Sequence, residues 1–218
     1  RAAEYCHAHG LGWRPHTKAI KIPTLAHKLI AAGAHGVTCA KLGEAEVMAA
    51  GGIRDILIAN QVVGAPKLAR LMDLLESADV IVAADSPDHV RALDAAAVAT
   101  GRHPRVVIEV DIGMHRAGVE PGAPSVSLAR SIASSRALRF AGVMGWEGQT
   151  VHMQDLDAKQ RAIRESVARL TQTADAIRAA GLAVDIVSCG GTGTYQYTAF
   201  LPGITELQAG GGIFCDLV

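Results

Sequence analysis

Aromatic side chains are scarce in this sequence: Phe, Trp and Tyr make up 4% of 218 residues, while half of all residues are hydrophobic. Ala, Val, Ile, Leu and Gly fill the difference, which suits parallel strands alternating with Ala-rich helices and argues against a β-sandwich. An excess of either charge is also missing. Twenty-one Lys and Arg balance 21 Asp and Glu, and no basic run interleaves with aromatics, so neither nucleic acid nor an anionic membrane is an expected partner. No apolar stretch approaches the ~18 residues of a membrane span, and no signal-peptide pattern is present. The four cysteines, Cys6, Cys39, Cys189 and Cys215, show no CxxC pair and no disulfide-framework spacing. They are expected to be reduced thiols of a cytoplasmic protein. The chain opens on Arg1 and stops at Val218 directly after a strand-like segment, and is expected to be part of a longer one.

Short apolar or β-branched runs recur at fairly even intervals. They are Leu11–Arg14, Gly36–Ala40, Ile56–Asn60, Val80–Ala84, Val106–Asp111, Phe140–Gly145, Asp185–Cys189 and Glu206–Ala209. Between most of them apolar residues stand three or four apart. Ile163, Val167, Leu170, Ala174 and Ile177 form one such stripe, stopped by Gly181, while Ser86-Pro87 and Ala65-Pro66 open two more helices. Eight strands in this length predict a (β/α)8 barrel that lacks its last helix, with an open doubly wound sheet as the alternative. Lys18, Lys41, Asn60, Asp85, Asp111, Glu147 and Gly190–Gly193 fall at or just after strand C-terminal ends, the edge on which barrels build active sites. The stretch from Gly190 to Gly203 carries no helical stripe and is expected to be a binding loop.

Two features on that edge carry chemistry. Arg14-Pro15-His16-Thr17-Lys18 ends the first strand. With Arg14, His16 and Lys21 crowding it, Lys18 is a candidate Schiff-base former, because nearby cations and partial burial help an amine lose its proton. The other reading of this pentapeptide is a solvated basic loop. Beyond the seventh and eighth strands come Gly190-Gly191-Thr192-Gly193-Thr194 and Gly210-Gly211-Gly212. Glycines let backbone amides approach an anion, and threonine adds a hydroxyl donor. Neither cluster is a P-loop or a GxGxxG fingerprint. A lysine and an anion cup on one rim suit a ligand bearing both an aldehyde and a phosphate, for which pyridoxal phosphate (PLP) is the obvious candidate.

Arg14-Pro15-His16-Thr17-Lys18 resembles the Arg-Pro-His-x-Lys motif of the D-threonine aldolase and D-serine dehydratase family, fold-type III PLP enzymes with an alanine racemase-like barrel. The likeness runs in order through Gly36–Glu46, Asp55–Asn60, Glu109–Gly113, Arg116–Val119, Gly190–Thr194 and Glu206–Gly210. The resemblance implies that Lys18 bonds the cofactor, within a motif that includes His16, and that Arg116 faces its phenolic oxygen. Gly191, Thr192, Gly210 and Gly211 would cradle its phosphate. Trp146 stands where relatives often carry tyrosine near the cofactor. His152 matches a histidine close to the substrate side chain and would act as general base. The implied reaction is retro-aldol cleavage of a β-hydroxy D-amino acid to glycine and an aldehyde. Dehydration of D-serine or 3-hydroxyaspartate, racemisation, and a PLP-binding barrel without turnover are the alternatives. A homodimer and a divalent metal (Mn, Mg or Zn) are also implied, with metal ligands in a C-terminal β domain outside this sequence. No metal ligand is assigned here.

The chain departs from the pattern in two places. Lys18-Ala19-Ile20-Lys21 has isoleucine where relatives commonly have histidine, and some relatives have histidine at Glu147. His7, His9, His27, His35, His89 and His103 form no HxH or HxxxH pattern and are expected to be surface or packing residues. Glu109 and Asp111 are not read as a paired-carboxylate dyad: they are expected to lie on opposite faces, with Asp111 facing the rim and Glu109 pointing elsewhere. Cys39 and Cys189 are expected to pack at strands rather than to act as nucleophiles.

Overall fold

Short apolar runs with no polar alternation suit strands covered on both faces, and that is what they become. The computed structural model describes residues 2–214, so Cys215 lies outside the described residues. The strands are β1 (Gly12–Trp13), β2 (Val37–Cys39), β3 (Asp55–Gln61), β4 (Asp79–Ala84), β5 (Arg105–Glu109), β6 (Arg139–Met144), β7 (Ile186–Cys189) and β8 (Glu206–Leu207). All pair in parallel, in the order β1-β8-β7-β6-β5-β4-β3-β2. The two ends of this sheet meet. His35 N–H donates to Trp13 O at 3.1 Å and Thr38 N–H to Pro15 O at 2.9 Å, and a parallel bridge joins His16 to Thr38. The result is the expected barrel, and the open-sheet alternative falls.

The helices are α1 (Ala2–Ala8), α2 (Pro23–Ala31), α3 (Leu42–Ala50), α4 (Ala65–Leu74), α5 (Pro87–Thr100), α6 (Ala123–Ala133), α7 (Leu156–Ala179) and α8 (Tyr195–Thr198). Pro66 and Pro87 open α4 and α5, and the Ser86 hydroxyl caps α5 by accepting from His89 N–H at 3.2 Å. Asp155 caps α7 through Asp157 and Ala158 N–H at 2.9 and 3.0 Å, and the stripe from Ile163 to Ile177 is fully buried. The stretch from Gly190 to Gly203 is not all loop: its middle forms the single-turn α8, too short to show a stripe. Beyond β8 the described chain forms a 3-10 turn at Gly211–Phe214.

Apolar side chains fill two layers. One lies between strands and helices. The other, Leu57, Ile81, Ala83, Val107, Ala141, Met144 and Ile186, plugs the lumen. In β6 the lumen residues stand three apart, because the register slips between Val106 and Val107 and Gly142 takes φ +147°. A Cβ on Gly142 would lie 2.0 Å from Ile186 O, so the bulge requires glycine. Through this slip Met144, and Trp146 two residues on, reach the barrel mouth.

Candidate active site

A cavity of about 490 Å³ opens at the C-terminal ends of the strands. Lys18, His16, Arg116, Trp146, His152, Gly191, Thr192, Gly210 and Gly211 all line it. The closing of the barrel does this, since it brings the loop after β1 beside the loops after β7 and β8.

Lys18 sits in a 3-10 turn at Thr17–Ala19, begun when the His16 ring accepts from Lys18 N–H at 3.3 Å. Its ammonium lies 5.0 Å from the centroid of the Trp146 indole, and the Arg116 guanidinium lies 5.3 Å from the same centroid. Partial desolvation, then Arg116, lowers the Lys18 pKa, while Glu44 opposes them. The expected cause is corrected here. Arg14 does not crowd Lys18: it is 3% exposed and turns down the lumen to Glu206, at 3.1 Å, and to Asp55. Lys21 points to Glu44 at 3.7 Å. The cation acting on Lys18 arrives from the loop after β5. Burial, then Lys18 and Arg116, pushes the His16 imidazole down to about 3, so it stays neutral and can accept the Lys18 amide.

The glycine loops form a cup. Thr192 Oγ1 accepts from Gly211 N–H at 2.7 Å and from Gly212 N–H at 3.3 Å, which ties the loop after β7 to the loop after β8. A Cβ on Gly210 would lie 2.2 Å from His16 O, and one on Gly191 would lie 2.8 Å from Trp146 Nε1. Gly191 N–H itself is bonded to Thr194 Oγ1 at 2.9 Å. Its contribution is therefore the missing side chain rather than its donor.

Other rim residues go elsewhere. Glu147 is wholly buried beneath the β7 loop, where it accepts from Thr198 Oγ1 at 2.7 Å and Gly190 N–H at 3.3 Å. Asn60 donates to Ala40 O, and Asp85 accepts from Gly118 N–H. The expectation for β5 is reversed. Asp111 folds into its own loop, accepting from Gly113 and His115, while Glu109 lines the cavity. Val107 faces the lumen, so Glu109 two residues on must do so too. Residues two apart share a strand face, so separating Glu109 from Asp111 by alternation was the mistake; Asp111 leaves that face only because β5 ends at Glu109. Cys39 and Cys189 are buried thiols, Cys39 pushed up to about 12 and Cys189 well above its ordinary value by burial, so neither is a ready nucleophile.

Glu109, Gln208, Lys159 and Met144 are among the cavity residues outside the set predicted from sequence. Gln208 Nε2 donates to Ser188 Oγ at 2.8 Å, and Lys159 Nζ to Val151 O at 3.1 Å. Lys159 belongs to α7, whose first turn reaches the rim, and nothing in its local sequence marks that. Among the described residues no group of three or more His, Cys, Asp or Glu could hold a metal ion. No helix among them is long and apolar enough to cross a membrane.

The sequence matches the family described as alanine racemase, N-terminal domain, over residues 7–217. The chain belongs to that family. Within it, D-threonine aldolase of an Arthrobacter species is 35% identical over 95% of this chain and 55% of its own length. D-threo-3-hydroxyaspartate dehydratase of Delftia sp. (strain HT23) is 35% identical over 97% of this chain and 56% of its own. The crystal structure of D-threonine aldolase from Filomicrobium marinum superposes with a TM-score of 0.93 at 38% identity, covering 96% of this chain and 57% of that one. The chain thus spans about half the length of the relatives it matches.

Proposed function

We propose that residues 1–218 are the cofactor-binding barrel of a PLP-dependent lyase that cleaves β-hydroxy D-amino acids to glycine and an aldehyde. One observation carries this: Lys18, Arg116 and the two glycine loops converge on one cavity. The residues fit PLP. The cavity volume lies in the range of small-molecule sites, and it is lined together by the Lys18 amine, the Arg116 guanidinium, the Thr192 side chain and the glycine-rich backbone of both loops. Bound there, PLP would supply the electron sink for charge left on the substrate α-carbon when a bond to it breaks.

The chain's own residues do the rest. Lys18, with its pKa lowered, offers more unprotonated amine at neutral pH than an ordinary lysine and so would bond the cofactor aldehyde. Arg116 is the cation beside it, and Trp146 walls the ring side. Neutral His16 fixes the turn that presents Lys18. His152 would take the proton from the substrate β-hydroxyl oxygen. A divalent metal, Mn, Mg or Zn, is part of the proposal with its ligands outside residues 1–218. The described residues supply no site for it, and no step is assigned to it. We further propose a cytoplasmic homodimer acting on a free amino acid, without nucleic-acid or membrane partners.

Dehydration of D-serine or 3-hydroxyaspartate is the second reading, and Lys159 at the cavity wall, a cation suited to a second carboxylate, favours 3-hydroxyaspartate as the substrate in either reading. The test supplies D-threonine, D-serine and D-3-hydroxyaspartate to the full-length protein, with and without divalent metal. Glycine with an aldehyde supports the aldolase, and ammonia with a keto acid supports the dehydratase. No product from any of them rejects both. Lys18→Ala should abolish the visible absorption of bound PLP; retention of that band would remove Lys18 from its assigned role.

A further inference from the structure

Among the described residues Glu109 is the one carboxylate that lines the cavity, and the proposed reaction gives it no task. It is 6% exposed at the end of β5. Gln61, at the end of β3, donates to its Oε2 at 2.6 Å. That reach depends on the slip in pairing between Ile58 and Gln61, which turns the strand end across the mouth. Its other oxygen, Oε1, lies 4.0 Å from Arg116 Nη2. The Arg116 side chain is otherwise 57% exposed. Its remaining described contact is the Trp146 ring that it shares with Lys18. A long, exposed arginine loses its orientation unless something fixes it, and a buried, hydrogen-bonded carboxylate is a suitable fixture.

We propose that Glu109, locked by Gln61, is the positioning residue for Arg116 and the counter-charge that limits how strongly Arg116 acts on Lys18. This deepens the proposed function, which makes Lys18 the cofactor lysine, but the charge relation itself belongs to the chain. Around Glu109 the facing charged groups are Arg116, Asp85 and Asp111. Around Lys18 they are Arg116, Glu44 and the neutral His16, with Lys21 held on Glu44. Burial raises the Glu109 pKa, while Gln61 and Arg116 pull it back toward ionisation. A charged Glu109 offsets part of the Arg116 field. Its loss leaves Arg116 fully cationic toward the Lys18 amine.

The experiment reads the charge at Lys18 directly. Full-length protein is stripped of cofactor with hydroxylamine, and Lys18 labelling by trinitrobenzenesulfonate is followed against pH by peptide mass. Glu109→Gln keeps the shape and removes the charge, so the labelling midpoint should fall by about half to one pH unit. Glu109→Asp, which keeps the charge, should recover most of that shift. In an Arg116→Leu background the effect of Glu109→Gln should shrink to less than half; a shift of full size there would mean that Glu109 acts on Lys18 directly, against the proposal. A purely structural Glu109 would lower thermal stability and leave the midpoint unmoved, and that result also overturns it. Should Glu109→Gln fail to fold, Gln61→Leu makes the same test, because removing the donor favours protonated Glu109 and moves the midpoint down by a smaller step. Labelling needs no cofactor, so a protein that bound no PLP would count against the proposed function and leave this outcome readable. With PLP added, Glu109→Gln should bind it several-fold more weakly than wild type.

Discussion

Arg14 and His16 stand two residues apart just beyond β1, yet they serve different ends of the lumen. Arg14 reaches down to Glu206 and Asp55, and His35 meets the same Glu206 at 2.9 Å. His16 stays at the mouth, beneath Lys18. Replacing Arg14 with Met would strand a carboxylate that is 4% exposed. The expected loss is about 3 kcal/mol in urea unfolding, toward the low end for a broken buried pair because His35 still holds one Glu206 oxygen. Gly210 marks another point at which one atom decides. Alanine there would place a Cβ 2.2 Å from His16 O, so the loop must lift from the first strand. Overpacking of this kind costs about 1–3 kcal/mol, and PLP titration of Gly210→Ala should show affinity reduced roughly ten- to hundredfold. Affinity equal to wild type would mean that this loop does not bear on the phosphate.

Helix α7 is the element most plainly written in the sequence, and it links the scaffold to the site. Its stripe of Ile163, Val167, Leu170, Ala174 and Ile177 is buried against the barrel, while Arg161, Arg164, Glu165 and Arg169 stay exposed as the spacing predicts. Leu170→Ala should cost about 2–5 kcal/mol by denaturant unfolding. Removing the cap with Asp155→Ala should cost about 1 kcal/mol. It should also loosen Lys159, which sits in the first turn and holds Val151 O at the cavity edge. The short α8 shows the opposite case. One turn of helix has no period to read, so Tyr195–Thr198 looked like loop. The bulge in β6 was equally hidden, because Gly142 reads as one more small residue until its pairing is known.

Across the whole molecule, two buried carboxylates give stability opposite pH dependences. Glu206 is 4% exposed; burial alone would raise its pKa, but the His35 hydrogen bond and Arg14 outweigh burial and hold it at about 2 against an ordinary 4.5. A depressed folded pKa stabilises above the unfolded value and loses that contribution as pH falls through the folded one. Urea midpoints should therefore drop between pH 4.5 and about 2, with roughly 3 kcal/mol at stake. Glu109 is raised instead, so it opposes folding once ionised and that cost lifts as pH falls. Arg14→Met should flatten the acid limb; a limb as steep as wild type would mean that Glu206 is not held by this network. The sequence by itself determined the eight parallel strands and the helical layer and marked Lys18 and the two glycine loops, because apolar spacing and glycine clusters are local properties, while Arg116, Trp146 and His152 were implied by the family resemblance. Which way Arg14 and Glu109 point was decided only by the tertiary structure. Strands apolar on both faces carry no parity signal, and only barrel closure and two slips in register fix which side chains meet.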